Sequence, residues 1–84
     1  MYYVYVLQSL LDRQLYIGYT NDLKRRIKEH NTRKDSIGIK KPFRLIYYEA
    51  TISMQDATRR EHNLKLKGNS YKELKKRIKN CIEM

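Results

Sequence analysis

The stretch LYIGYTNDLKRRIKEHN, Leu15 to Asn31, passes from a short apolar segment through a turn into a very basic helix. With Gln14 before it, the apolar part reads as a strand ending at Gly18. Asn21 is the expected helix N-cap, and Asp22 falls in the first turn, where the helix dipole favours a negative charge; the helix is predicted over 22–31. At about 100° per residue with Leu23 as zero, Ile27 falls near 40°, Arg25 near 200°, Arg26 near −60° and His30 near −20°. Leu23 and Ile27 therefore define the buried stripe, and Arg25 points into water. Arg26 and His30, four residues apart, lie along the edge of the stripe. A guanidinium fixed there by packing presents a rigid fork of donors to a phosphate. The competing reading pairs Arg26 with a carboxylate such as Asp22 and leaves His30 filling the rim.

Outward from this stretch, YYVYVL at 2–7 is aromatic and β-branched and reads as a strand. The short link QSLLDR then implies an antiparallel hairpin. On the other side, TRKDSIGIKKP is charged and broken by Gly38 and Pro42, a loop. FRLIYYEA, 43–50, is a third strand whose apolar groups on both faces suit a covered, central position. Two capping boxes follow, SMQD from Ser53 and SYKE from Ser70, with Gly68 as a left-handed cap between their helices. The order is β-β-α-β-α-α: a small α/β domain, expected as a single unit over 1–84, with helices on a three-stranded antiparallel sheet.

A chain of 84 residues buries a thin core, and eight tyrosines with one phenylalanine must supply much of it. The net charge of +10 costs self-repulsion in the folded state, which a polyanion relieves; nucleic acid is the expected partner. One cysteine, Cys81, excludes an internal disulfide and a Cys-rich metal site. The opening MYYVYVLQSLLDRQ lacks a basic n-region, and no run approaches the ~20 apolar residues of a membrane span, so a cytoplasmic location away from membranes is expected.

The second helix carries an anomaly. With Met54 as zero, Ala57 lies at about −60°, Leu64 at about −80° and Glu61 at about −20°, inside the apolar stripe. A carboxylate there needs a partner: Lys65 one turn on, a nearby arginine, or a metal cation. Lys72, Lys75, Lys76 and Lys79 on the last helix form a solvated face that also attracts phosphates. Leu74, Ile78, Cys81 and Ile82 form its core stripe, with Cys81 as a small apolar group; His62 faces outward.

Taken together, YVY at 3–5, YIG at 16–18, the helix NDLKRRIKEH, a third strand and a helix bearing RREHNLK resemble the GIY-YIG nuclease superfamily. The likeness is greatest to its small stand-alone bacterial members, relatives of the amino-terminal nuclease domain of the excinuclease C subunit. Its specific part is a set of intervals: eleven positions from Tyr5 to Tyr16, ten from Tyr16 to Arg26, four from Arg26 to His30. Tyr3 and Val4 replace the Gly and Ile of the first triplet, a backbone change on a strand that retains Tyr5. Asn69 and Asn80 stand at no matching interval for the asparagine some members carry, and that role has no residue here.

The resemblance implies a metal-dependent endonuclease acting on DNA, in repair or processing. Glu61 would hold a single divalent cation, Mg2+ or Mn2+. Arg26 would contact the scissile phosphate, and Tyr5, Tyr16 and His30 would complete the site. A hard cation offsets charge on the leaving oxygen, and preorganised donors stabilise the non-bridging oxygens. A tyrosine acting as base needs adjacent positive charge to favour its phenolate; Tyr5 is the expected base, with Tyr16 and His30 as its hydrogen-bond partners. Arg26, Lys65, Lys72 and Lys76 are the expected nucleic-acid contacts. Low intrinsic sequence specificity and a monomer or weak dimer are expected. The alternatives are a non-catalytic binding module on the same scaffold, or a subunit to which a protein partner delivers substrate. The catalytic reading expects Glu61 and Arg26 to converge over one patch of tyrosine-bearing sheet.

Overall fold

The computed structural model describes residues 1–32 and 42–84. Strands β1 (Tyr2–Ser9), β2 (Leu15–Thr20) and β3 (Phe43–Thr51) form one antiparallel sheet in the order β2-β1-β3. The helices are α1 (Leu23–Thr32), α2 (Met54–Lys65), α3 (Asn69–Arg77) and the short α4 (Lys79–Glu83). The expected loop over 32–42, with its Gly38, lies for the most part outside the described residues.

The central strand is β1, correcting the expectation that 43–50 would hold that place. Six consecutive β1 residues, Val4 to Ser9, are buried, because this strand is hydrogen-bonded on both sides and covered on both faces. The apolar pattern on both faces of β3 has a different cause. A register shift opposite Val6 and Leu7 inserts an extra residue, so Val6 pairs with Tyr47 and Leu7 with Leu45. Ile46 and Tyr47 both pack against the same core as a result. β3 is an edge strand, and Tyr48 and Ala50 are exposed on it.

Residues paired across the strands share a face. Tyr3, Tyr5 and Leu7 lie with Thr20, Gly18 and Tyr16 on one side; Val4, Val6 and Gln8 lie with Tyr19, Ile17 and Leu15 on the other. The second face meets Ala57 and Leu64 of α2, Leu74 of α3 and Ile78, with half-buried Cys81 and Ile82 beside them. The first face is covered by α1, where Leu23 and Ile27 are only partly buried. The fold is a sheet between two helical layers, α1 on one side and α2 to α4 on the other.

Helix ends differ from the sequence reading in instructive ways. The carboxylate of Asp22 accepts the Arg25 N–H at 3.1 Å, so Asp22 and not Asn21 caps α1, and β2 runs on to Thr20. Ser53 caps α2 as expected, accepting the Asp56 N–H. The left-handed residue after α2 is Lys67 (φ 57°), while Gly68 has φ −89° and occupies the cap position of α3 without a side-chain bond. The box predicted from Ser70 is therefore not formed, because α3 begins one residue earlier, at Asn69. The expected last helix breaks at Ile78 (φ −107°) into α3 and α4. The end of α4 is tied down by the buried Gln8, which donates to the Ile82 carbonyl at 3.1 Å and accepts from Arg44 at 2.8 Å.

Candidate active site

Tyr5 sits on the central strand, directly across from Gly18 of β2. Its ring lies over that glycine: a Cβ built on Gly18 would come within 2.2 Å of the Tyr5 hydroxyl oxygen and 2.3 Å of Cζ. Only a residue without a side chain lets the phenol cross β2 here. The crossing carries the hydroxyl to α1, where two side chains one turn apart receive it. Arg26 Nε donates to the Tyr5 oxygen at 3.3 Å, and His30 Nε2 lies 3.1 Å from the same oxygen. With the guanidinium donating, the Tyr5 oxygen can either pass its own proton to His30 Nε2 or accept from it, according to the imidazole tautomer.

Arg26 is held above its usual pKa range, first by the hydrogen bond and charge interaction with the Tyr5 oxygen and then by Glu29. Glu29 lies 3.7 Å away, one turn on. Asp22, the competing partner expected for Arg26, instead pairs with Arg25 at 4.0 Å, and the Arg25 side chain is 64% exposed. The two neighbouring arginines thus part company as the helix geometry requires. Arg26 also lines an open depression with Tyr19, Thr20, Asn21, Arg25 and Glu29. Tyr5 itself is 2% exposed, so the guanidinium is the group of this cluster that meets solvent at the depression.

Tyr16 enters at one remove. Its ring meets Phe43 edge-on at 5.1 Å, and Phe43 meets His30 at 5.7 Å. The Phe43 N–H donates to the Asn31 side chain at 2.8 Å, fixing the start of β3 to the end of α1. This aromatic chain holds the imidazole upright against Tyr5, with which it also packs edge-on at 5.9 Å.

Glu61 belongs to the other layer. It lies on α2, beside the buried Ala57 and Leu64, with its side chain 23% exposed and 3.3 Å from Lys65. The apolar stripe of α2 is narrower than the sequence suggests: Met54 is 47% exposed, so Glu61 sits at the stripe's margin. The pairing with Lys65 is one of the partners expected for it. The expectation that Glu61 and Arg26 would share one sheet face is corrected, since α1 and α2 cover opposite faces. Both layers pack on β3, and the β2 edge is where the Arg26 depression lies. Tyr19 points to the α2 side and packs against the core, yet it lines the same depression as Arg26. The depression therefore wraps the β2 edge.

Of the expected nucleic-acid contacts, Lys65 is tied to Glu61 and Lys76 pairs with Glu73 at 3.5 Å on the exposed side of α3, where Lys72 is also exposed. Among the described residues no group of three or more His, Cys, Asp or Glu is placed to hold a metal, and no helix is long and apolar enough to cross a membrane. A hard cation with a single protein carboxylate, filling its other positions with water and substrate oxygens, fits the donor set at Glu61. Gly18, Glu29 and Phe43 are the site residues that sequence reasoning missed. The i,i+3 spacing from Arg26 is a legible signal for Glu29, whereas Phe43 is brought in by a chain reversal with no local trace.

Comparison with known proteins follows the same lines. A family model described as the GIY-YIG catalytic domain matches residues 1–77. A UPF0213 protein of Streptococcus agalactiae is 43% identical over 72 residues, covering 83% of this chain and 81% of the relative. One from Bacillus pumilus is 35% identical over 75 residues, covering 87% and 76%. The solution NMR structure of a UPF0213 protein from Bacillus halodurans is similar with a TM-score of 0.55 and 38% identity, covering 88% of this chain and 81% of that one.

Proposed function

The chain belongs to the GIY-YIG catalytic domain family, and from that premise we propose that it is an endonuclease hydrolysing phosphodiester bonds in DNA with one divalent cation, Mg2+ or Mn2+. The observation that carries this reading is the Tyr5 hydroxyl clamped between Arg26 and His30 over Gly18. A merely structural tyrosine does not need a glycine cleared beneath it and a guanidinium turned back onto it.

In the proposed mechanism Arg26 receives the scissile phosphate in the depression at the β2 edge. Its Nε stays on Tyr5, and its outer nitrogens offer a fork to the non-bridging oxygens. Tyr5, 2% exposed, would take the attacking water's proton only once substrate binding opens the depression to its oxygen, its own proton then passing to His30 Nε2, 3.1 Å away. Tyr16 and Phe43 hold the imidazole in line. Glu61 would hold the cation, which supplies charge neutralisation for the leaving oxygen. To do so the carboxylate would exchange its Lys65 partner for the cation at the β2 edge. Lys65, Lys72 and Lys76 add phosphate attraction. The half-buried free thiol Cys81 suits a reducing compartment such as the cytoplasm.

The Lys65 pairing of Glu61 favours a second reading, a nucleic-acid-binding module without hydrolysis. Incubating the protein with single- and double-stranded oligonucleotides in Mg2+, Mn2+ or EDTA separates the two. The nuclease reading expects metal-dependent cleavage that Arg26→Ala, Tyr5→Phe and Glu61→Gln each reduce by about a hundredfold or more. Binding without cleavage under every metal supports the module instead.

A further inference from the structure

A second concavity lies on the α1 side of the sheet, on the β3 flank of the helix. It is lined mainly by Tyr3, Tyr48, Leu23, Ile27 and Lys24, has a volume of about 450 Å3, and falls within the range of small-molecule sites. Its aromatic content is unusual for its exposure. Tyr48 is 51% exposed, whereas Tyr2 and Tyr19 on the opposite face of the sheet are stacked and packed against the core. The ring is nonetheless braced: it meets Tyr3 edge-on, with centroids 5.9 Å apart and planes at 64°. The structure thus holds a fixed aromatic surface toward water.

Position relates this concavity to the site described above. Tyr48 pairs directly with Tyr5 across β1 and β3. Consecutive α1 residues point to the two hollows, Arg26 into the depression at the β2 edge and Ile27 into the aromatic one. Asn21, at the start of α1, lines both, so the two adjoin there. The acidic residue at this junction, Asp22, is occupied by the Arg25 N–H and guanidinium. Lys24 adds positive charge at the rim.

We propose that the Tyr3–Tyr48 concavity is a nucleobase subsite, and that it selects a DNA strand carrying an unpaired base next to the bond placed at Arg26. The proposal rests on the nuclease reading and specifies its substrate. A base stacked within a duplex presents no free face, whereas an unpaired base can lay its ring on Tyr48, with Leu23 and Ile27 closing the apolar side. The sugar-phosphate chain then passes Asn21 to reach Arg26. Each base has a π-face, so the subsite reads strandedness and is tolerant of sequence.

The test is fluorescence anisotropy in EDTA, where cleavage plays no part, with a labelled single strand and a blunt duplex of the same sequence. Wild type should prefer the single strand; Tyr48→Ala should weaken single-strand binding about tenfold and leave duplex binding within about twofold, and Tyr48→Phe should behave as wild type. Independently of any variant's folding, a single abasic position moved along the single strand should cost wild-type affinity about tenfold at one place only. Equal affinity for both strand forms, a flat abasic scan, or an unchanged Tyr48→Ala overturns the subsite while leaving the nuclease reading intact. Loss of self-association in Tyr48→Ala without loss of affinity also overturns it, in favour of a second copy as the occupant. No binding of either DNA by wild type removes the nuclease reading itself.

Discussion

At the scale of single residues, the account depends on where one oxygen is held. Gly18 is a steric permission: any side chain there collides with the Tyr5 ring, which is buried and has little room to retreat. Gly18→Ala should therefore move the hydroxyl off Arg26 and His30, costing about a hundredfold in cleavage and ~1–3 kcal/mol in stability. DNA binding in EDTA should survive, which single-turnover cleavage and anisotropy measured side by side will show. The adjacent arginines provide an internal control. Arg26 touches Tyr5, whereas the Arg25 side chain meets only the capping carboxylate of Asp22, so Arg25→Ala should change cleavage by no more than about threefold at constant salt. The pair was legible in the sequence because 100° per residue separates their faces. Glu29 as Arg26's ion partner carried a legible i,i+3 signal, but Asp22 competed at an equally good distance along the chain until the helix took it as its cap.

At the scale of elements, the connection between β3 and α2 fixes the layer that carries Glu61. Arg60 grips both oxygens of Glu49 at 2.9 to 3.2 Å, and Tyr47 donates to the same carboxylate at 3.1 Å. Glu49→Gln should cost about 1–2 kcal/mol, measured by urea unfolding, because the pair is bidentate but still about a third exposed. Burial, reinforced by the Glu49 charge, pushes the Tyr47 phenol above its usual 10.0. The folded chain holds that proton more tightly than the unfolded one. Tyr47's contribution is therefore complete below pH 10.0 and is lost as pH rises through the folded value; Tyr47→Phe should flatten this alkaline fall in a pH series of unfolding curves. The strands and the first two helices were readable from local pattern. The strand order was not, because the inserted Ile46 makes β3 look doubly covered. Nor was the break at Ile78, since Leu74, Ile78, Cys81 and Ile82 keep helical spacing across it.

At the scale of the whole molecule, charge and layering set what the protein can do. A net +10 spread over both helical layers means that affinity for a single strand should fall with salt, log K against log salt sloping at roughly −3 for a handful of neutralised phosphates. The resemblance legible in the sequence named the right family, yet it did not reveal that the carboxylate and the guanidinium lie on helices covering opposite faces. Their meeting around the edge strand β2 is the central claim, and paramagnetic broadening by Mn2+ tests it without requiring turnover. In a 15N-labelled sample titrated with substoichiometric Mn2+, the amides of Glu61, Gly18 and Arg26 should broaden together, and Glu61→Gln should abolish all three effects. Broadening confined to Glu61 and Lys65, with Gly18 and Arg26 left sharp, would contradict a shared site.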